Sequence, residues 1–159
     1  MKTPSSPIIF LDIDGVLCTQ PMWKKEVIAE DGYSEFNHRC VENLNSLIEQ
    51  TDARIILTST RRINKTVEEF EAIMHRRGFA GQIADKINQN TELSSATRSE
   101  EIREWLSRNG VPEKYVIIDD DSRIADMGEP YIHHWVRTTY HLGLDESALE
   151  QALKILKEG

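Results

Sequence analysis

The chain is poor in cysteine. It has two, Cys18 and Cys40, with no Cys/His spacing of the zinc-finger kind. A disulfide framework is excluded, and the pair reads as reduced thiols of a cytoplasmic protein. Cys18 follows Asp14 by four residues, but no Cys-His arrangement accompanies it, so it reads as a buried or loop thiol. Long hydrophobic runs are missing too: none approaches the ~20 residues of a membrane span. Residues 1–6 lack the apolar centre of a signal peptide and read as a polar tail. Internal repeats, low-complexity tracts and Pro/Gly-rich linkers are absent. Basic residues are outnumbered, with 19 Lys and Arg against 27 Asp and Glu, for a net charge of −8. That balance argues against general binding to nucleic acid, which needs a basic surface, while leaving room for one locally basic groove.

What is present is enough for one domain, taken as residues 1–159 with ordinary hydrophobic content. Ile8-Ile9-Phe10-Leu11 after Pro7 predicts a buried strand. Residues 16–36 are a polar excursion with the length of a small flap or lid. Asn37 predicts the cap of a helix to about Gln50, with Val41, Leu44, Leu47 and Ile48 on one face. Arg54–Leu57 is a second strand, running into Thr58-Ser59-Thr60-Arg61. Thr66 and Glu69 have capping-box spacing ahead of Val67, Phe70, Ile73 and Met74, and Gly78 closes that helix. Ile83 and Ile87 mark a short strand. Thr97 and Glu100 form another capping box, with Ile102, Trp105 and Leu106 facing inward. Tyr115–Ile118 is a strand leading into Asp119-Asp120-Asp121. A further strand is expected from Ile132 to Val136. Asp145 caps a last helix carrying Ala148, Leu149, Ala152, Leu153 and Leu156.

Alternating strands and amphipathic helices predict an α/β fold, a Rossmann-like three-layer sandwich. Its sheet is mainly parallel, with about five strands and no full cap domain. Right-handed crossovers bring every strand's carboxyl end to one edge. Three polar clusters then converge there: Asp12/Asp14, Thr58/Ser59 and Asp119/Asp120.

Asp12-Ile13-Asp14-Gly15 at the end of the first strand is the most informative motif. An EF-hand loop counted from Asp12 would need Gly at position 17 and Glu at 23, where Leu17 and Trp23 stand. Paired carboxylates suit phosphoryl transfer, which needs a nucleophile, a proton shuttle and cations for the phosphate oxygens. Asp12 would attack phosphorus, and Asp14 would protonate the leaving oxygen and then activate water. Ile13 points away, since strand side chains alternate. Gly15 lets the chain turn beside the ligand. Magnesium, with its preference for hard oxygen donors, suits Asp12 and a strand-end Asp.

The order strand-Asp-x-Asp-Gly-Val-Leu, strand-Thr-Ser, basic residue, strand-Asp-Asp resembles the haloacid dehalogenase-like (HAD) superfamily over about residues 8–126. Most of its members are magnesium-dependent phosphohydrolases. Thr58-Ser59-Thr60-Arg61 and Glu101–Leu106 are similar to a small bacterial or phage branch, some of whose relatives are linked to nucleic-acid end repair. The resemblance implies that Asp14 also meets Mg2+ through its backbone carbonyl. It makes Asp120 the first choice for a direct ligand and Asp119 a second, with Asp121 a turn residue and Asp126 an outside candidate. It further implies that Ser59, or Thr58, binds a phosphate oxygen. Arg98 is the candidate cation, with Lys86 and Arg61 as alternatives; Arg61 is also a candidate for direct contact with phosphate or substrate.

The superfamily's larger caps sit in connections that are each largely taken up here by one helix. A nearly open site suits a large substrate such as a nucleic-acid end or a phosphoprotein, although net charge does not favour the former. A dehalogenase would not use a second Asp as acid/base, and a transporting ATPase needs membrane spans. The rivals are a receiver-like phosphoacceptor domain, whose acidic pair is adjacent rather than spaced, and a non-catalytic HAD-like binding protein. His133-His134 has no zinc partners at suitable spacing. Trp105 and Trp135 read as packing, while Trp23 lies in the loop after the first strand.

Overall fold

The computed structural model describes residues 6–19, 36–58, 66–87 and 97–158. Strands β1 (Ile8–Leu11), β2 (Arg54–Leu57), β3 (Ile83–Lys86), β4 (Tyr115–Asp119) and β5 (Trp135–Arg137) form one parallel sheet in the order β3-β2-β1-β4-β5. Helices α1 (His38–Thr51), α2 (Val67–Arg76), α3 (Arg98–Asn109) and α4 (Glu146–Glu158) connect or follow them. The chain builds outward from β1 to β3, then returns to lay β4 on the other side of β1. The order therefore reverses between β1 and β4, and a crevice opens at their carboxyl ends, where open α/β sheets bind ligands.

Period-two alternation sends successive strand residues to opposite faces. Ile9, Leu11, Ile55, Leu57, Val116, Ile118 and Val136 join the core beneath α1, α2 and α4. Ile8, Phe10, Ile56, Tyr115 and Ile117 face α3 and a 3-10 helix, Ser122–Met127. Burial on both faces explains the unbroken apolar runs of β1 and β4. Each fully buried aliphatic side chain contributes about 1.5–3 kcal/mol. Phe10 sits edge-on to Trp105 at 5.3 Å and to Tyr115 at 6.1 Å, so aromatic packing holds α3 against the centre of the sheet.

The local helix signals act as expected. Asn37 accepts the Arg39 and Cys40 amides at the start of α1. Both capping boxes are formed, Thr66/Glu69 on α2 and Thr97/Glu100 on α3. Asp145 accepts the Ala148 amide of α4 at 2.9 Å.

The strand expected over Ile132–Val136 is displaced. Tyr131–His134 form a 3-10 helix after Pro130, and β5 starts only at Trp135. The His134 ring lies flat on Tyr115, 3.9 Å between centroids, and its Nδ1 donates to the Tyr115 carbonyl at 2.9 Å. That carbonyl is capped by a side chain, so pairing begins at Ile117 with Trp135. His133 turns outward, 3.3 Å from Glu129. Trp105 is buried, and the Trp135 indole donates to the Asp119 carbonyl at 3.0 Å. Both cysteines are buried free thiols, and burial pushes Cys40 up to about 11. Among the described residues, no helix is long and apolar enough to cross a membrane.

Candidate active site

The first acidic turn is wound around one carbonyl. The amides of Val16, Leu17 and Cys18 point at the Ile13 oxygen at 3.1, 2.8 and 3.0 Å, and the Gly15 amide donates to Cys18 at 2.9 Å. Ile13 is fully buried in the core, and Asp12 is only 4% exposed in the crevice. Gly15 has φ +78°, and a β-carbon there would overlap the Asp120 carboxylate. Glycine is thus required twice, for its backbone conformation and for the close approach of the second acidic turn.

That second turn follows β4. Asp119 is the last strand residue and fully buried. Its Oδ1 accepts the Asp121 amide at 3.0 Å. The carboxylates of Asp12, Asp119 and Asp120 each offer an oxygen within 4.8 Å of the others. Asp121 caps the 3-10 helix and pairs with Arg123 at 2.9 Å, which holds its carboxyl below the ordinary value. Asp126 is exposed on that helix, outside the cluster.

The cation comes from α3. Its capping box makes Arg98 the first helical residue, and Nη1 reaches Asp119 Oδ2 at 2.6 Å and Asp12 Oδ1 at 3.2 Å. The Arg98 side chain is 11% exposed. Burial disfavours its charge, but Asp119 and Asp12 outweigh burial, and its pKa is raised. Burial raises the pKa of Asp12 despite Arg98. Burial and the charge of Asp12 raise Asp119, and the same two causes push Asp120 up to about 6. Among the described residues, one guanidinium faces three clustered carboxylates, a deficit of positive charge. A hard divalent cation such as magnesium fits that deficit and the all-oxygen donor set.

The remaining candidates divide. Thr58 is buried immediately after β2, and its amide donates to the Leu11 carbonyl at 2.9 Å, beside the Asp12 turn. Ser59, Arg61 and Trp23 lie outside the described residues. Lys86 ends β3, two strands away from β1 and three from β4, whereas Arg98 contacts both acidic turns. Asp14 is half-buried at the start of the loop.

Sequence reasoning missed Thr138. It directly follows β5, is 4% exposed, and its hydroxyl donates to the Gly15 carbonyl at 2.7 Å. The available signal was the one that singled out Thr58: a hydroxyl residue one step beyond an apolar strand at the same sheet edge. Ending the last strand at Val136 hid it.

A family model described as the HAD domain in Swiss Army Knife RNA repair proteins matches residues 8–149. No curated protein matches the chain.

Proposed function

The chain belongs to the family of HAD domains found in Swiss Army Knife RNA repair proteins, and from that premise we propose that it is a magnesium-dependent phosphomonoester phosphatase acting on RNA ends. Family membership supports a HAD-type phosphoesterase. One observation carries the finer reading: the buried Asp12 carboxylate shares a crevice with Asp119 and Asp120 and is held by Arg98 at 3.2 Å.

Asp12 acts as the nucleophile. One of its carboxylate oxygens bonds to phosphorus as the ester P–O bond breaks, giving an aspartyl-phosphate. Asp14, half-buried at the mouth of the turn, gives its proton to the departing alkoxide. It then takes a proton from water as that water attacks phosphorus, releasing inorganic phosphate and restoring the Asp12 carboxylate. Arg98 fixes the orientation of Asp12 and offsets charge in the crevice. Asp12, the Asp14 backbone carbonyl and Asp120 would hold Mg2+, with Asp119, already engaged by Arg98, as the alternate ligand. When bound, the metal supplies positive charge to the phosphate oxygens. Ser59 supplies a hydroxyl or amide donor and Thr58 its hydroxyl to the phosphate, and Arg61 a further cationic contact.

The net charge of −8 does not favour nucleic acid, and the RNA end rests on the family match, a terminal phosphate needing local rather than global positive charge. The test is hydrolysis of an aryl phosphate, and of RNA oligonucleotides phosphorylated at the 3′ or 5′ end, with Mg2+ or chelator. Wild type should turn over with Mg2+ alone, and Asp12→Asn should be inactive with an unchanged circular-dichroism spectrum. Substantial activity in Asp12→Asn removes the nucleophile assignment. Aryl phosphate turnover without cleavage of either RNA end removes the RNA assignment.

A further inference from the structure

We infer that Thr138 is a positioning residue that sets the first acidic turn against the second, and so prepares the crevice for its cation and substrate; this rests on the phosphatase reading above. Thr138 touches both turns. Its amide donates to the Asp119 carbonyl at 3.2 Å, and its hydroxyl donates to the Gly15 carbonyl at 2.7 Å. Asp119 belongs to the carboxylate cluster, and Gly15 packs against Asp120 so closely that no side chain fits between them. The four bonds inside the first turn set its shape, because they all run between residues 13 and 18. They say nothing about where the turn sits relative to β4. The Asp12 amide anchors the base of the turn to β4, donating to the Ile118 carbonyl at 3.2 Å, and the far side of the turn is placed by bonds that leave it, one of which is made by the Thr138 hydroxyl.

The residue type supports this role. Position 138 is buried, immediately after a strand, where valine would serve packing equally well. A buried hydroxyl costs free energy unless it is bonded, so its presence there marks the bond it makes. The Leu144 amide holds the next carbonyl, Val16, at 2.8 Å. That backbone bond survives any substitution at 138, so loss of the hydroxyl should shift the turn rather than unravel it. A shift moves Gly15 relative to Asp120 and moves Asp14 relative to a bound phosphate.

The experiment compares Thr138→Ser with Thr138→Ala, which differ by one oxygen. Mg2+ affinity is measured by calorimetry without substrate, and kcat and KM are measured on an aryl phosphate. Thr138→Ala should weaken Mg2+ binding and lower kcat by about 10- to 100-fold, with KM little changed. Thr138→Ser should restore both. Should alanine unfold the chain, Thr138→Val keeps the volume and answers the same question against serine. Wild-type Mg2+ affinity and kcat in the variant lacking the hydroxyl, or serine as impaired as alanine, overturns the role of Thr138 and leaves the phosphatase reading standing. A wild type that neither binds Mg2+ nor turns over overturns that reading and this inference with it.

Discussion

Helices α2 and α3 open with the same device and end up in different roles. In each, a threonine hydroxyl accepts the amide of a glutamate three residues on, at 3.0 Å for Thr66 and Glu69 and 3.3 Å for Thr97 and Glu100. In each, the glutamate accepts the amide of the capping threonine in return. Yet α2 begins with Val67 and buries only Phe70 and Met74, with Glu68 and Glu69 exposed. Helix α3 begins with Arg98, buries Ser99 and Glu101 in its first turn, and sends its guanidinium between Asp12 and Asp119. The capping box starts a helix by satisfying its orphan amides. It carries no information about what lies opposite. A charged first residue becomes part of a site only because α3 packs on the face of β1 and β4, at the point where the strand order reverses.

Removing the charge that separates the two helices should have the largest effect. Arg98→Ala leaves Asp12 and Asp119 buried without their cation, so kcat should fall by about 100- to 1,000-fold. Val67→Ala, at the equivalent position of α2, should leave kcat unchanged. Steady-state kinetics on an aryl phosphate compare the two directly, and equal effects would mean that Arg98 is only a helix residue.

A smaller effect concerns the carboxyl that follows β4. Asp120 is pushed up to about 6 in the folded protein, from an ordinary 3.8. A folded pKa above the unfolded one means that its contribution to stability is complete below 3.8 and is lost as pH rises through about 6. In chelator, the Tm of wild type relative to Asp120→Asn should therefore fall as pH rises across that window. Mg2+ should reverse the fall most at the alkaline end. Thermal melts across pH, with and without the metal, measure this, and a flat difference would show that Asp120 ionises freely.

The smallest effect is on the caps themselves. Thr66→Ala and Thr97→Ala should each cost about 1 kcal/mol of stability, measured by urea unfolding. Only Thr97→Ala should also lower kcat, because the turn it frays carries Arg98. Matching losses of stability with kcat reduced in one variant alone would isolate position from capping.

Much of the fold was legible because its signals are local. The apolar runs of β1, β2 and β4 and the caps Asn37, Thr66, Thr97 and Asp145 lie within a few residues of what they control. The start of β5 was not legible, because the Tyr115 carbonyl that His134 occupies lies 19 residues away. The site was legible at its strand ends, where Asp12, Thr58 and Asp119 follow apolar runs. The sequence put Arg98 first among the candidate cations, but Arg98 and Lys86 are equivalent as letters, and only the fold shows that Arg98 meets Asp12 and Asp119. Thr138 carried the strand-end signal that marked Thr58, and ending the last strand at Val136 hid it; its bond to Gly15, 123 residues distant, belongs to the fold alone.

The sequence alone determined where β1, β2, β4 and the four α-helices form, and that acidic and hydroxyl residues stand where strands end. These follow from side-chain periodicity, capping and turn chemistry, which act over one or two turns of chain. Tertiary structure alone decided that β1 and β4 are neighbours, that Arg98 rather than Lys86 meets Asp12, and that burial raises Asp119 and Asp120. Those outcomes depend on sheet order and on the exclusion of water from one crevice. Both arise only when distant segments pack together.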